Sequence, residues 1–248
     1  PAENLLSGRN PIREALKSGR DIEKLLVARG ELSGSAREIV ARAHEARIIV
    51  QEVDKVRLDA IYPHHQGMLA FASAYQYSTV DAMLEEAAEK GEDPFLFILD
   101  GIEDPFNFGY ALRSLYAAGV DGVILPERNF FTATETVVRS SAGASELLPC
   151  CTVPDLAKAC AAMKENGIKL VSTAKNDKAK DLFHTNFRRP LCVIYGGERR
   201  GISAGVMEQC DAVVKIKYPR NCHYSLPACS AISIISFEIG RKLNEHKR

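Results

Sequence analysis

The chain has 248 residues, enough for one large domain or two modest ones with separate cores. Its 46% hydrophobic and 26% charged content is that of an ordinary globular protein, and no apolar run reaches the ~18 residues of a membrane-spanning helix. Formal net charge is zero, which by itself points to no polyanionic partner, but residues 76–174 carry 15 Asp/Glu against 7 Lys/Arg, whereas residues 175–220 carry 10 Lys/Arg against 5 Asp/Glu. A basic segment on an acidic body can meet polyphosphate locally while the molecule stays neutral.

In chain order, Pro1-Ala2-Glu3-Asn4 has neither the basic nor the apolar region of a secretory signal. Asn10-Pro11 followed by Ile12, Ala15 and Leu16 predicts a helix with proline in its first turn. Leu25–Val27 and Ile48–Val50 predict buried strands, with a helix over Ser35–Glu45 between them and a third strand at Met68–Ala72. These make a small α/β domain over residues 1–75. A linker over 76–93 contains an acidic helix, Val80–Lys90, ending at Gly91.

From Phe95–Leu99 onward strands and helices alternate to the end of the chain. Helices are predicted over Asn107–Ala118, Thr132–Ser141, Asp155–Asn166, Ser203–Glu208 and Ala228–Asn244. Strands are predicted at Gly122–Leu125, Leu147–Val153, Lys169–Ser172, Leu191–Tyr195 and Ala212–Ile216. Continuous apolar strands between helices predict a mostly parallel sheet covered on both faces, over residues 94–248. Ligands of such sheets lie beyond the carboxyl ends of the strands. The seven cysteines include no CxxC, and Cys150 and Cys151 are adjacent, so neither a disulfide framework nor a metal site is expected. Reduced thiols fit a cytoplasmic protein.

Three strand-end loops concentrate unusual residues. After Leu99 comes Asp104-Pro-Phe-Asn107-Phe-Gly109-Tyr-Ala-Leu-Arg113, where Asn107 can cap a helix; alone, this reads equally as a capped helix with a surface arginine. After Tyr195 comes Gly196-Gly-Glu198-Arg-Arg-Gly201, whose glycines let backbone groups wrap a ligand, although a plain turn would look the same. It is neither a P-loop nor a dinucleotide fingerprint. After Ile216 comes Lys217-Tyr218-Pro-Arg220-Asn-Cys-His-Tyr-Ser225-Leu226-Pro227, leading into the last helix.

In this order and spacing the three loops resemble the motifs of the SpoU/TrmH family of RNA ribose 2′-O-methyltransferases, of the SPOUT class. Asn107, Gly109 and Arg113 match its N-x-G-x-x-x-R motif, and Gly196, Glu198 and Gly201 its G-x-E-x-x-G motif. Ile216–Pro219 and Ser225-Leu226 match the third motif, except that Pro227 stands where the family has asparagine and the preceding loop is one residue longer. Leu6-Ser-Gly-Arg9-Asn10 and His65-Gln66-Gly-Met-Leu-Ala-Phe71 resemble the ends of the family's RNA substrate-binding domain.

The resemblance implies an α/β substrate-binding domain followed by a SPOUT α/β domain with a C-terminal trefoil knot, acting as a homodimer on structured RNA, ribosomal before transfer RNA, with no membrane association. The implied cofactor is S-adenosylmethionine, held by Ser172, Thr173, Ala174, Gly196, Gly197, Gly201, Ile216, Tyr218, Leu226 and Pro227. Backbone groups of Gly196, Ile216 and Leu226 would make the direct contacts. Asn107, Arg113, Glu198 and Ser225 are the implied catalytic residues, Arg113 stabilising the forming alkoxide. Arg9, Asn10, His65 and Gln66 would contact RNA. The alternatives are a non-catalytic RNA-binding relative that keeps the cofactor pocket, and an unrelated nucleotide-binding enzyme.

Overall fold

A computed structural model describes residues 4–127, 134–197 and 201–245, and the chain divides into two compact units. The smaller comprises residues 1–76 and 131–147. Its strands are β1 (Leu5–Ser7), β2 (Ile22–Ala28), β3 (Ile49–Val53) and β4 (Met68–Ala72), in the order β1-β4-β2-β3. The β1–β4 and β2–β4 pairs are antiparallel and β2–β3 is parallel, joined by helix α2 (Gly34–Glu45), which Ser33 caps through its side chain. Helix α1 (Arg9–Ser18) buries Ile12 and Ala15 with Ile39 of α2 and Leu25 and Val27 of β2. Helix α3 (Lys55–Ile61) adds only Leu58 to the buried set.

Two sequence expectations change in this unit. Ile48–Val50 is not a buried strand: β3 is the sheet edge and Ile49 is 66% exposed. Also, residues 134–147, expected to belong with the second domain, pack here through helix α6 (Glu135–Ser140) and the 3-10 turn Ala144–Glu146. Val138 joins the small core, and Gly143 (φ +91°) lies so close to α1 that a Cβ there would sit 2.7 Å from Glu14 Cγ. Arg20 forms a buried ion pair with Glu146 and also donates to the Ser73 carbonyl. Burial holds the Glu146 carboxyl above its ordinary range even with that guanidinium beside it.

The larger unit comprises residues 77–130 and 148–248. Helix α4 (Val80–Glu89), capped by Thr79, belongs to it rather than to a free linker: Met83 is buried against the strands. The sheet holds β5 (Phe95–Asp100), β6 (Gly122–Pro126), β7 (Cys150–Val153), β8 (Lys169–Thr173), β9 (Lys180–Asp181), β10 (Leu191–Gly196) and β11 (Ala212–Lys215). All its pairings are parallel, in the order β7-β6-β5-β10-β8-β11-β9. Leu96 and Ile98 of β5 join Cys192 and Ile194 of β10 in a cluster with helices α4, α7 (Leu156–Glu165) and α8 (Ala204–Met207). The alternate residues Phe95, Phe97 and Leu99 face the other way and are equally buried. Double-sided burial is why these strands are continuously apolar.

Helices α5 (Pro105–Ala117) and α9 (Ala228–Glu245) pack together. Ser233 donates to Ser114 at 2.7 Å, and a Cβ on Gly240 would sit 2.6 Å from the Ala118 carbonyl oxygen. Ile232, Ile235 and Ile239 of α9 are buried within this chain, leaving Phe237 exposed. Lys242, 9% exposed as a residue, donates through its ammonium to the carbonyls of Leu182, Phe183 and Thr185, pinning the segment after β9 against α9. Among the described residues no helix is long and apolar enough to cross a membrane.

Candidate active site

Strand order reverses direction at β5: the chain runs outward through β6 and β7, then returns to place β10 on β5's other side. A crevice opens at the carboxyl end of such a switch point. There the loops after β5, β8, β10 and β11 surround a cavity of about 770 Å³, within the range of roughly 300–1,000 Å³ for small-molecule sites.

The β5 loop enters α5 through Asp104, whose carboxylate accepts the Asn107 N–H at 2.8 Å, with Pro105 at the helix start. Asp104 is therefore the cap that the sequence assigned to Asn107, which sits in the first turn and lines the cavity. Two turns along, Arg113 is exposed and is not a lining residue.

The β10 loop folds back on itself. Gly201 donates to the Gly197 carbonyl at 2.9 Å, and Gly197 donates to the Asp100 carbonyl at the end of β5. Gly196, Gly197 and Gly201 line the cavity; Glu198 lies outside the described residues. In the β8 loop, Thr173 and Ala174 line the cavity but Ser172 does not. Ser172 is fully buried, its hydroxyl directed at Met207 Sδ and the Ala212 carbonyl.

Ile216, Tyr218, Ser225, Leu226 and Pro227 complete the wall. The Pro227 carbonyl accepts the Ala231 N–H at 3.0 Å, so proline caps α9 instead of occupying its first turn. The Leu226 N–H, expected to meet a ligand directly, donates to the Tyr218 hydroxyl at 3.2 Å.

Sequence reasoning missed several lining residues. Lys175 and Lys215 bring positive charge, and Leu182, Ile202, Met207 and Ile235 bring apolar surface. Lys175 directly follows Thr173-Ala174 and could have been included on that ground; Leu182 and Ile235 reach the cavity only through tertiary packing. Burial pushes the Cys151 thiol to about 11 and the Cys160 thiol to about 12, so neither offers a thiolate for catalysis. No group of His, Cys, Asp and Glu among the described residues could hold a metal ion.

In the smaller unit, Arg9, the first residue of α1, donates its N–H to the Gln66 side chain in the loop before β4 at 3.5 Å, while the neighbouring Asn10 accepts from Arg13 at 3.0 Å. Arg9 also donates to Ser33 and Ser35 at the start of α2. His65 is 3% exposed with both ring nitrogens engaged, by Asp59 and by the Gly67 N–H. Its role is to fix the turn that presents Gln66 (φ +51°), and it offers no free edge to RNA.

The profile of the SpoU rRNA methylase family matches residues 94–237, and that of the RNA 2′-O ribose methyltransferase substrate-binding domain matches residues 5–78. A putative TrmH family tRNA/rRNA methyltransferase from Staphylococcus aureus is 36% identical over 98% of both chains. Its counterpart YacO from Bacillus subtilis is 35% identical over 96% of this chain and 95% of that one. Among solved structures, the SpoU methyltransferase AviRb from Streptomyces viridochromogenes, in complex with AdoMet, superposes with a TM-score of 0.79 at 25% identity, covering 96% of this chain and 89% of that one. With motif loops gathered on one cavity and both profiles matched in order, the chain belongs to the SpoU/TrmH family of RNA methyltransferases.

Proposed function

We propose that this protein transfers a methyl group from S-adenosylmethionine to a ribose 2′-hydroxyl of a structured RNA, ribosomal rather than transfer RNA. The observation that carries the reading is the convergence of the three motif loops on one cavity at the carboxyl end of the sheet. The cavity suits the cofactor in size, in its mixture of apolar walls with backbone groups, and in the glycine pair that lets the β10 loop pass close to its neighbours. AviRb, 25% identical, binds AdoMet on the same fold. The substrate-binding profile over residues 5–78 supports RNA as the substrate and ribose as its acceptor, and enzymes with such an added domain more often act on ribosomal RNA.

When bound, the cofactor supplies a methyl group on a sulfonium, already a good leaving group. The chain's own tasks are alignment and activation of a weak nucleophile. Thr173, Ala174, Gly196, Gly197, Gly201, Ile216, Tyr218, Leu226 and Pro227 hold the cofactor. Arg113 stabilises negative charge on the 2′-oxygen as its proton passes to an RNA phosphate oxygen. Asn107 orients the site, Ser225 holds its loop or contacts the ribose, and Glu198 is assigned to fix Arg113 or the loop by a charge-assisted hydrogen bond. Arg9, Asn10 and Gln66 contact the RNA through phosphate or splayed bases.

In this reading the C-terminal third forms the trefoil knot of the SPOUT class, and the protein works in the cytoplasm, where free thiols persist. It is a homodimer. In the sequence, the apolar excess of α9 at Ile232, Ile235, Phe237 and Ile239 points to that helix as part of the interface; the three isoleucines are core residues, and of these four only Phe237 is exposed. Exposed Phe106, Tyr110 and Tyr116 on α5, which packs against α9, join Phe237 in supporting it. Light scattering at micromolar concentration is expected to give about twice the 27.2 kDa monomer mass; a monomer removes the dimer.

The decisive experiment maps 2′-O-methyl positions in cellular RNA with and without this protein, alongside calorimetry with S-adenosylmethionine. Loss of a defined methylation, with heat of cofactor binding, is expected. The Pro227 departure supports one second reading, a non-catalytic RNA-binding relative. Cofactor binding without any lost methylation establishes that reading in place of the first.

A further inference from the structure

Residues 217–227 run from β11 to α9 and form one wall of the cavity, with none of the sheet hydrogen bonds that fix the other walls at their roots. In a segment of this kind, side-chain bonds to the backbone do much to fix the shape. Residue 227 cannot contribute one, because proline has neither an N–H nor a polar side chain. The bond that closes this segment comes from Tyr218, at its other end, whose hydroxyl accepts the Leu226 N–H at 3.2 Å. The Tyr218 ring is in turn held by the neighbouring loop. The Lys175 ammonium lies 5.4 Å from its centroid and also reaches the Tyr224 carbonyl at 3.5 Å. Lys175, Tyr218 and Leu226 all line the cavity.

We propose that Tyr218, backed by Lys175, is a positioning residue: a latch that holds the Leu226–Pro227 wall in the shape that receives the cofactor. The Tyr218 hydroxyl acts through the Leu226 backbone and not by touching the ligand; what Tyr218 offers the cofactor directly is its ring. It does from the far end of the loop what a polar side chain at position 227 would do from the near end. This inference rests on the reading that the cavity takes S-adenosylmethionine.

Tyr218→Phe keeps the ring over which Lys175 sits and deletes only the hydroxyl. Two quantities are read on the full-length protein: hydrogen exchange at the Leu226 amide without ligand, and the S-adenosylmethionine Kd by calorimetry. A net hydrogen bond of ordinary strength implies exchange about three- to tenfold faster and a Kd weaker by a similar factor, with the Tm of the ligand-free protein lowered by no more than about 2–4 °C. Lys175→Met, which keeps the apolar stem, is expected to move both in the same direction by about two- to fivefold, and it tests the latch even if Tyr218→Phe does not fold. An unchanged Kd in both variants overturns the proposal. So does a weakened Kd with unchanged Leu226 exchange, since the hydroxyl would then touch the cofactor itself. Wild-type protein that binds no S-adenosylmethionine overturns the reading of the cavity instead, and the exchange measurement still decides whether the latch exists.

Discussion

Replacing Arg113 by alanine is expected to slow methyl transfer by ~10²–10⁴-fold, the range for a positioned group that assists proton removal, while the S-adenosylmethionine Kd changes by less than about twofold. The second half follows from the geometry. Arg113 is exposed on the third turn of α5 and is not one of the residues lining the cavity, whereas Asn107, at the start of the same helix, is. An exposed guanidinium outside the cavity's walls can meet the ribose and its phosphate without contributing to cofactor affinity. Arg113→Lys should recover little, because a point ammonium cannot bridge two oxygens as the planar fork does. Single-turnover methylation of the cognate RNA at saturating cofactor gives the rate, and calorimetry gives the affinity. Near-normal turnover in the alanine variant removes Arg113 from the mechanism, and a large loss of affinity makes it a cofactor ligand.

Much of this architecture was legible because it is written in local pattern. Phe95–Leu99 is uninterrupted apolar sequence because both faces of β5 are covered, and the strand runs one residue further, to Asp100. The three loops were legible because glycines and polar residues crowd at strand ends, where parallel sheets place their ligands. Short pieces held by one or two distant partners were not. Leu5–Ser7 and Lys180–Asp181 are too brief to show a period, and Lys55–Ile61 buries only Leu58. The destination of residues 134–147 depends on Glu146 meeting Arg20 and on Gly143 lying against Glu14, contacts between segments more than 100 residues apart. His65 looked like an RNA contact in the sequence because a histidine beside Gln-Gly could serve either a turn or a ligand, and only the bonds to Asp59 and Gly67 decide for the turn. The latch belongs to the same class: nothing in the spacing of Tyr218 and Leu226 says that one accepts a hydrogen bond from the other.

Gly196→Ala tests whether close backbone passage shapes the cofactor site, as the glycines of the β10 loop suggest. A Cβ at Gly196 would sit 2.6 Å from the Gly201 carbonyl carbon and 2.7 Å from the Ile202 nitrogen. These are backbone atoms, so no flexible side chain can swing aside, and the Gly201–Ile202 segment itself must move. Both residues line the cavity. That segment is also tied down, since Gly201 donates to Gly197 and Gly197 to Asp100, so displacement strains the junction between β5 and β10. Overpacking of this kind costs ~1–3 kcal/mol. If the strain falls on the shape of the cavity, S-adenosylmethionine binding weakens by about tenfold to a hundredfold, each tenfold being ~1.4 kcal/mol. Gly205→Ala is the matched control: the added Cβ would lie 3.5 Å from Ala157 Cβ, an ordinary contact, and alanine suits helix α8 better than glycine does. The control is expected to keep wild-type affinity and a Tm at least as high. Cofactor affinity in Gly196→Ala equal to that of the control would mean that the β10 loop tolerates displacement, and that its glycines serve the turn and not the cavity.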